Sequence, residues 1–575
     1  MKKYFSLYKK QFILGPAFKL CEAILELFVP LVVARIIDRG IAQADRAYIF
    51  KMGGVLFALA FFGVVFALIC QYCAAVAQQG VGTQLRNDLF RKINSFSEKE
   101  LSRFGTASLT TRITNDITQI QSAVAMLIRL VFRSPFLIAG SLIMAVALDR
   151  KMSIIFIVSA VIVSLILYLI LSKSIPLYKK IQAKLDRLSG IVKDNLSGVR
   201  VVRAFAKTDY ETERFEESNE ELTRRNIRAG NLSALLNPLT FAILNSAIVL
   251  ILHFGAINVN VGRLTQGQVL AFTNYMTQIL LSIIVFSNVI VIFTKAGASV
   301  ARVKEVLETN ASVTDDGAED FTPDFTKPAV SFNNVSFSFE GSEEKVLDGI
   351  SFEILSGQTV GIIGGTGSGK STVVNLIMRS FDAESGEIKI FGEDVGKYRF
   401  SSLRKFLHTV PQKNTLFSGT IRENLLFGNP EASDAELESA VKTAQAEEFV
   451  RKLSDGLDHV INTDSKNLSG GQRQRLCIAR ALVGDPKILI LDDSFSALDF
   501  ATDARLRKAL SEDRSDRTVI IVSQRVNTVK NADNIIVINE GKISAQGTHG
   551  ELFGSSGVYR EICLSQLSES EVAAE

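Results

Sequence analysis

The sequence predicts two structural parts in series: a helical membrane domain, then an α/β domain with a largely parallel sheet. Long apolar runs fill the first 300 residues and do not recur afterwards. An acidic stretch with two prolines, NASVTDDGAEDFTPDFTKPAV, follows them and is typical of a linker. Beyond it, short β-rich runs such as TVGIIGG and TVIIVS alternate with helical stretches, which favours a parallel sheet. We therefore expect domains at 1–305 and 328–575, joined by a linker at 306–327.

Composition agrees with this division. A chain of 575 residues is too long for one compact domain. An apolar fraction of 47% stands beside 22% charged residues, and the mean hydropathy is positive, as expected for a membrane part joined to a water-facing part. The net charge of +4 is small for this length and gives no support to a nucleic-acid partner.

Six segments are long and apolar enough to cross the hydrocarbon core, which takes about 20 residues. The connections between them alternate between short and long, and the long ones are charged, helical in pattern and rich in Lys and Arg. Because positive charge is retained in the cytoplasm, we expect the N-terminus, the long loops and the α/β domain to be cytoplasmic and the protein to be a multi-pass protein of the cell membrane. The predicted spans are about 15–38, 50–78, 123–148, 153–173, 233–256 and 266–294.

The α/β part contains a phosphate-binding loop. GGTGSGKST follows an apolar strand and precedes a helix, the context that supports the motif G-x-x-x-x-G-K-[ST]. Its glycines let backbone N–H groups point at phosphate oxygens, and the helix N-terminus adds a positive dipole. Lys370 is suited to bind the β- and γ-phosphates and Ser371 to ligate Mg²⁺. The candidate residues are Gly364, Thr366, Gly367, Ser368, Gly369, Lys370, Ser371 and Thr372.

A second strand, in ILILDDSFSALD at 488–499, ends in two aspartates. Asp492 at its polar end is suited to hold the Mg²⁺ shell. Together the two motifs predict a P-loop nucleotide hydrolase.

Further motifs narrow the class. NLSGGQRQR at 467–475, Gln412 in VPQKNTLF, SALD at 496–499 and an apolar strand ending in IVSQR make the chain resemble an ATP-binding cassette (ABC) transporter. GTASLTTRITNDITQI and VVRAFAKTDYETERFEE resemble the cytoplasmic loops that contact the ATPase domains in multidrug-type ABC exporters. The resemblance covers nearly the whole chain and implies a half-transporter with ATP and Mg²⁺ as cofactors.

The resemblance also implies roles for individual residues. Phe339 falls where an aromatic side chain stacks on adenine, and Gln412 where a glutamine senses the metal and the γ-phosphate. Half-transporters of this family close head-to-tail in pairs around two ATP molecules. Four signature residues would therefore cap the ATP held by the partner, and an aspartate would lie at the dimer seam: Ser469, Gly470, Gly471, Gln472 and Asp499.

The sequence departs from the family pattern at three places. Asp493 stands where the family has its general-base glutamate, and a carboxylate drawn back by about 1–1.5 Å can cost about 100-fold in rate. Gln524 stands where the family has its switch histidine, and glutamine cannot carry the charge of an imidazolium. TDSK at 463–466 precedes the signature where exporters often have Gly-Glu-Arg-Gly.

Two altered positions beside an intact LSGGQ lead to a hypothesis. The chain is one half of a heterodimer, its own site is degenerate, and its signature completes the competent site of a second half-transporter. Two alternatives stay open: a homodimer that turns over slowly at both sites, and a regulatory ATP-binding subunit that gates a partner. The resemblance implies a small amphipathic substrate, drug or lipid, moved across the bilayer.

Polar residues within predicted spans are candidates for the transport path, since such residues are costly in a membrane. Glu22 and Glu26 lie four residues apart on one helical face, where they either attract cationic compounds or sit at the cytoplasmic interface. Asn274 and Gln278 share a face of the last span and are candidates for the lining of a water-filled cavity.

Overall fold

The computed structural model describes residues 2–566, apart from 316, 340, 343, 514 and 515. The chain divides into two units. Unit 1 comprises Met1–Asn94 and Thr106–Thr309, and unit 2 comprises Ser95–Gly105 and Asn310–Glu575. A short piece of the first long loop therefore belongs to the second unit, which the sequence did not indicate.

All the regular secondary structure described in unit 1 is helical. Three π-helical turns, Ile36–Ile41, Arg112–Asp116 and Leu127–Val131, interrupt its helices. The α-helices up to residue 308 are α1 (Lys2–Leu7), α2 (Lys9–Arg35), α3 (Arg46–Asn94), α4 (Glu98–Phe104, in unit 2), α5 (Thr106–Thr111), α6 (Ile117–Met126), α7 (Arg133–Leu148), α8 (Ser153–Ser197), α9 (Val199–Ala204), α10 (Thr208–Ala234), α11 (Leu236–Asn260) and α12 (Gln266–Glu308).

Within the described residues, five helical stretches are long and apolar enough to cross a membrane: Arg46–Asn94, Thr106–Leu148, Ser153–Ser197, Thr208–Asn260 and Gln266–Glu308. The predicted span at 15–38 falls on α2 and the π-turn after it, where Lys19, Glu22 and Glu26 interrupt the apolar run. At 1.5 Å per residue α3, α8 and α12 are about 65–75 Å long, roughly twice the thickness of the hydrocarbon core. The charged helical loops are thus continuations of the spans.

The charged residues of the first span are already paired. Lys19 Nζ lies 2.7 Å from a carboxylate oxygen of Glu22, and Arg133 donates to Glu26 at 2.7 Å. Each glutamate therefore has a cation of this chain beside it. The structure gives no uncompensated negative charge here that would favour a cationic substrate.

The polar residues of the last span also find partners within the protein. Gln278 on α12 accepts a hydrogen bond from Ser141 on α7 at 2.9 Å. Asn274 donates to the carbonyl of Leu270, one turn earlier in its own helix, at 3.1 Å. These contacts satisfy part of the hydrogen-bonding capacity that led us to expect a water-filled cavity.

An ion pair with a buried carboxylate joins the π-turn Arg112–Asp116 to the C-terminal part of α12. Asp116, fully buried, accepts from Arg302 Nε at 2.7 Å and from Ser299 Oγ at 2.9 Å. Arg112, four residues before Asp116, donates to Glu305 Oε2 at 2.8 Å. The π-turn Arg112–Asp116 therefore carries two side chains that hold the C-terminal end of α12.

The described residues of unit 2 form three sheets. Its strands are β1 (Val330–Phe337), β2 (Leu347–Ile354), β3 (Thr359–Ile363), β4 (Ser385–Ile390), β5 (Glu393–Asp394), β6 (Leu407–Val410), β7 (Gly419–Thr420), β8 (Val460–Ile461), β9 (Ile488–Asp492), β10 (Thr518–Ser523), β11 (Asn534–Asn539) and β12 (Lys542–Gly547). Its remaining helices are α13 (Lys370–Ile377), α14 (Phe400–Leu403), α15 (Ile421–Leu425), α16 (Asp434–Thr443), α17 (Glu447–Arg451), α18 (Gly470–Val483), α19 (Phe500–Asp513), α20 (Val526–Val529), α21 (His549–Ser555) and α22 (Gly557–Leu564).

The six-stranded sheet has the order β12-β11-β3-β10-β9-β6, and all neighbours except β11 and β12 are parallel. This confirms the predicted parallel sheet. A four-stranded antiparallel sheet, β2-β1-β4-β5, and the short pair β7-β8 add to it. Because β3, β10 and β9 are adjacent and parallel, their carboxyl ends meet at one edge. That edge brings together the phosphate loop, Gln524 and the two aspartates.

Candidate nucleotide site

The phosphate loop runs from the end of β3 into α13. Gly367 and Gly369 have φ angles of 80° and 103°, a left-handed conformation that strains other residues. Side chains are also excluded by space, since a Cβ on Gly364 would lie 2.1 Å from the carbonyl oxygen of Ile538. The glycine pattern is thus explained by the backbone path, which turns N–H groups towards the loop interior.

Lys370 is buried at the start of α13 and folds back over the loop. Its ammonium donates to the carbonyl of Gly364 at 2.9 Å and to that of Gly365 at 2.6 Å. Burial lowers the pKa of Lys370, although the nearby carboxylates of Asp492 and Asp493 act against this. The loop therefore carries a preformed cationic centre for phosphate oxygens.

Asp492 and Asp493 end β9 next to the loop. Ser371 Oγ lies 3.4 Å from Asp492 Oδ1. Burial raises the pKa of Asp492, and the charge of Asp493 adds to this effect. Burial also raises the pKa of Asp493, while Arg525 and a hydrogen bond from Gln412 oppose the rise. Both carboxylates thus pay a desolvation cost that a nearby cation would relieve.

Gln524 follows β10 and faces the phosphate loop. Its Oε1 accepts from Thr366 Oγ1 at 3.3 Å. Gln566 holds its backbone, donating to the Gln524 carbonyl at 2.7 Å and accepting from Val526 N at 3.0 Å. The predicted switch position is therefore at the phosphate loop and carries a neutral side chain.

A cavity of about 400 Å³ connects these groups. Phe339 is 43% exposed at its rim and makes edge-to-face contacts with Phe337 and Phe381, at centroid distances of 5.1 and 5.7 Å. The predicted residues that line it are Phe339, Thr366, Gly367, Ser368, Gly369, Lys370, Ser371, Thr372, Gln412, Asp492, Asp493 and Gln524. Gly364 contributes its carbonyl to Lys370 without lining the cavity.

The signature residues form a second group, away from this cavity. Ser469 caps α18: its backbone N–H donates to Gln472 Oε1 at 2.8 Å and its Oγ accepts from Gln472 N at 3.3 Å. Gly471 lets the helix approach the neighbouring turn, since a Cβ there would lie 3.1 Å from the carbonyl oxygen of Ala497. Asp499 accepts from the N–H and the hydroxyl of Thr502 at 2.9 and 2.8 Å. The signature group is therefore well ordered but is not part of the chain's own cavity.

Comparison with known proteins decides the family. The model of the ABC transporter transmembrane region matches residues 12–283, and the model of the ABC transporter ATPase segment matches residues 347–496. An ABC transporter ATP-binding protein of Mycobacterium tuberculosis is 35% identical over 96% of this chain and 95% of its own. This chain is an ABC transporter. It unites a membrane domain and an ATPase domain in the half-transporter arrangement of exporters.

Two further relatives show the exporter type of this ABC transporter. The ATP-dependent lipid A-core flippase of Vibrio parahaemolyticus is 28% identical over 99% of this chain and 97% of its own. The structure of a bacterial Atm1-family ABC exporter with ATP bound has a TM-score of 0.79 and 25% identity, covering 99% of both chains. The chain is therefore a multi-pass membrane protein whose ATPase is coupled to export.

The donor set at the end of β9 fits Mg²⁺. Ser371 Oγ and Asp492 Oδ1 lie side by side, and the amide of Gln412 borders the same cavity. All are hard oxygen donors, as Mg²⁺ prefers, and Mg²⁺ at nucleotide sites takes few protein ligands. No group of three or more His, Cys, Asp or Glu side chains able to hold a metal occurs in the described part of the chain.

Several site residues of this ABC transporter were not predicted. Val346, Val522 and Ser523 line the cavity. The last two belong to β10, whose position next to β3 could have identified them. Gln474, fully buried, joins α18 to the turn after β9, and nothing in its sequence context indicates that role.

Proposed function

We propose that this ABC exporter chain is one half of a heterodimer whose own site binds ATP but cleaves it slowly. The observation that carries the proposal is that Asp493 and the neutral Gln524 line the same cavity, with Gln524 in contact with Thr366 of the phosphate loop. A carboxylate one methylene short is held at the position of the general base. The neighbouring position that would hold a charged imidazole in the family carries only an amide.

The intact signature supports the second half of the proposal. Ser469, Gly470, Gly471 and Gln472 start α18 with their local hydrogen bonds satisfied within the chain, and they lie outside the chain's own cavity. They would cap an ATP held by the second half-transporter, with Asp499 at the seam. The degenerate site and the complete signature would then serve different ATP molecules.

The proposed binding roles follow from the cavity. The N–H groups of the loop 364–372 and the ammonium of Lys370 would hold the phosphates. Phe339 would stack on adenine. Ser371, Gln412 and Asp492 would ligate Mg²⁺, which neutralises charge on the phosphates when bound. Each of these groups borders the same space of about 400 Å³ or the loop beneath it.

The proposed substrate is a small amphipathic drug or lipid. A second cavity, of about 430 Å³, lies in the membrane domain and is lined mainly by Val131, Phe286, Val289, Ile290 and Phe293. Its lining is apolar, and Glu22 and Glu26 are paired with cations.

We place the protein in the cell membrane, with its N-terminus and ATPase domain cytoplasmic, and assign residues 1–305 to the membrane domain, 306–327 to the linker and 328–575 to the ATPase domain.

The test is to compare ATPase activity and transport by this chain alone, by the second half-transporter alone and by the two together. Binding of ATP by this chain without appreciable turnover, with activity restored in the mixture, supports the proposal. Mixtures that carry Ser469→Ala in this chain should lose the restored activity, whereas Asp493→Asn should reduce it little. Brisk hydrolysis and transport by the lone chain would contradict the heterodimer.

A homodimeric lipid or drug flippase is the second candidate. The observation that favours it is the likeness to a lipid A-core flippase over nearly the whole chain. Slow ATPase activity from the lone chain, accompanied by slow lipid movement in vesicles, would support this candidate. Nucleotide-dependent gating of a partner without turnover by this chain in the mixture would instead support a regulatory subunit.

A further inference from the structure

A cavity of about 510 Å³ lies between α8 and α10, in the part of unit 1 that continues beyond the spans. Its lining includes five arginines and two glutamates, Glu217 and Glu221. Five arginines against two glutamates leave the walls with a formal charge of +3. The arginines are Arg187, Arg214, Arg224, Arg225 and Arg228.

Not all of this charge is compensated within the chain. Glu221 is shared by Arg225 at 2.7 Å and Lys184 at 2.6 Å, and Arg214 pairs with Glu211 at 3.2 Å. For the remaining three arginines of the cavity, no ion pair or hydrogen bond with any described residue is found. The three side chains are solvent-exposed, so water and salt screen part of their mutual repulsion, and an anion that bridges them would relieve the rest.

The spacing along α10 places these groups on one face. Arg214, Glu221, Arg225 and Arg228 follow one another at intervals of three, four or seven residues, which are the intervals of neighbours on one side of a helix. Arg187 faces them from α8. The pair Lys184–Glu221 joins the two helices within the same stretch. The cationic walls are therefore built on two long, paired helices.

The cavity also has an apolar extension. Buried Ile191 lines both the arginine-lined cavity and a neighbouring cavity of about 230 Å³. This neighbouring cavity is bordered mainly by apolar groups, among them Val192, Leu196 and Phe215. A ligand could thus place its charge among the arginines and an organic portion along the same groove.

The distance from the membrane favours a soluble ligand. The apolar part of α8 ends before Lys173, and Arg187 lies about four helical turns beyond it, or about 21 Å at 1.5 Å per residue. The headgroup region on one side of a bilayer is only about 5–8 Å thick. On α10, Arg228 lies five residues before the predicted span at 233–256, or about 7.5 Å along the helix. A phospholipid headgroup in the adjacent leaflet therefore reaches that end of the cavity but falls short of Arg187, so a ligand held by arginines of both helices must extend beyond the headgroup region.

We propose that this cavity binds a soluble phosphorylated anion bearing at least two phosphate charges. Guanidinium groups match phosphate oxygens through paired N–H donors, and arginines from both helices would share the ligand. Binding would bridge α8 and α10 on either side of α9, the short helix that connects them. The ligand would therefore regulate how firmly this helix pair is held, independently of the nucleotide cavity in the other unit.

The test measures binding of inorganic pyrophosphate and triphosphate to the full chain in phosphatidylcholine nanodiscs by titration calorimetry. All variants are made in a parent protein that carries Lys370→Ala, so that anion binding at the phosphate loop contributes less to the measured heat. We expect Arg224→Gln with Arg228→Gln to weaken binding at least 10-fold, and Lys193→Gln, which removes a nearby cation outside the cavity, to leave it unchanged. Arg224→Lys with Arg228→Lys keeps the charge without the paired donors and should weaken binding by less.

Each result decides the matter. Absence of binding to the parent, or equal binding by the parent and the double glutamine variant, overturns the proposal. If the glutamine variant does not fold, the double lysine variant provides the comparison, and undiminished binding there overturns recognition by paired donors. Binding that depends on the arginines only when phosphatidylglycerol is added to the nanodisc, and not with free pyrophosphate, assigns the site to a lipid headgroup and overturns the soluble ligand.

Discussion

The side chain of Gln474 joins the signature helix to the backbone of Asp493. Its Nε2 donates to the Asp493 carbonyl at 3.4 Å, and its Oε1 accepts from the N–H of Ala497 at 3.2 Å. The residue is fully buried. A single amide thus ties the start of α18, which we propose acts on the partner's nucleotide, to the turn that carries the altered base position.

Replacing this amide should destabilise the ATPase domain. Gln474→Leu keeps the approximate size but removes the hydrogen bonds to the Asp493 carbonyl and from the Ala497 N–H, and each such bond contributes about 0.5–1.5 kcal/mol. We expect a lower unfolding temperature and a lower activity in the mixed dimer. Gln546→Leu, at an exposed position of β12, is the matched control. Equal melting temperatures for both variants would show that the link contributes nothing.

Restoring both altered positions should raise hydrolysis more than restoring either one. Asp493→Glu returns the missing methylene, and Gln524→His returns a group that can carry charge beside Thr366. Since misplacement of a catalytic group costs about 100-fold, we expect the double variant to exceed the single variants by about 10-fold or more in steady-state ATPase assays. If Asp493→Glu alone gives the full gain, Gln524 does not limit the rate.

The stability of the nucleotide-free protein should depend on Asp493 and pH. Its pKa is raised above 3.8 by burial, so the folded state takes up a proton more readily than the unfolded state. The contribution to stability is full below about pH 4 and is lost as the pH rises through the raised pKa. Asp493→Asn should therefore melt at a higher temperature than the parent at pH 7, by about 2–4 °C for each 1 kcal/mol, and the difference should shrink towards pH 4.

Asp499 provides a control of opposite sign. Hydrogen bonds from Thr502 lower its pKa, so its contribution is present above pH 4 and is lost as the pH falls through the lowered value. Asp499→Asn should consequently gain no thermal stability at pH 7. A similar gain for both variants would trace the effect to net charge and not to burial of Asp493.

Breaking the buried ion pair of unit 1 should be costly. Asp116→Ala leaves Arg302 and Ser299 without their partner and opens the joint at the end of α12. Removing one member of a fully buried pair typically costs about 3–5 kcal/mol, but Arg302 is about half exposed and can be hydrated, so we expect a smaller loss. We expect low yields and early thermal aggregation in detergent. Glu308→Ala, which removes an exposed partner of Lys304, should change the melting temperature little. An unchanged Asp116→Ala protein would show that this pair does not hold the joint.

Much of the fold could be predicted because its signals are local. Apolar length identified five of the six predicted spans, and strands ending in Gly or Asp identified the edge where the site lies. The π-turns at Arg112–Asp116 and Leu127–Val131 could not be predicted, because they leave the residue pattern of an ordinary helix almost unchanged. The separate antiparallel sheet could not be predicted, because short β-rich runs do not reveal which sheet each strand joins.

The sequence predicts which residues meet where parallel strands end on the same side of the sheet. It does not predict ion-pair partners that are distant along the chain. Lys370 and Asp492 border one cavity because parallel strands end on the same side. The partner of Glu22 is Lys19, three residues away, within reach of helical spacing. The partner of Glu26 is Arg133 on another helix, and only the packing of the helices reveals it.

The capping of α18 has a consequence for assembly. Ser469 and Gln472 complete their reciprocal hydrogen bonds inside a single chain, so the start of this helix needs no partner to be capped. Surfaces that are rigid in advance lose little conformational entropy on association. The free energy released when two half-transporters close on nucleotide would then be available to move the membrane helices, because none of it is needed to fold the signature.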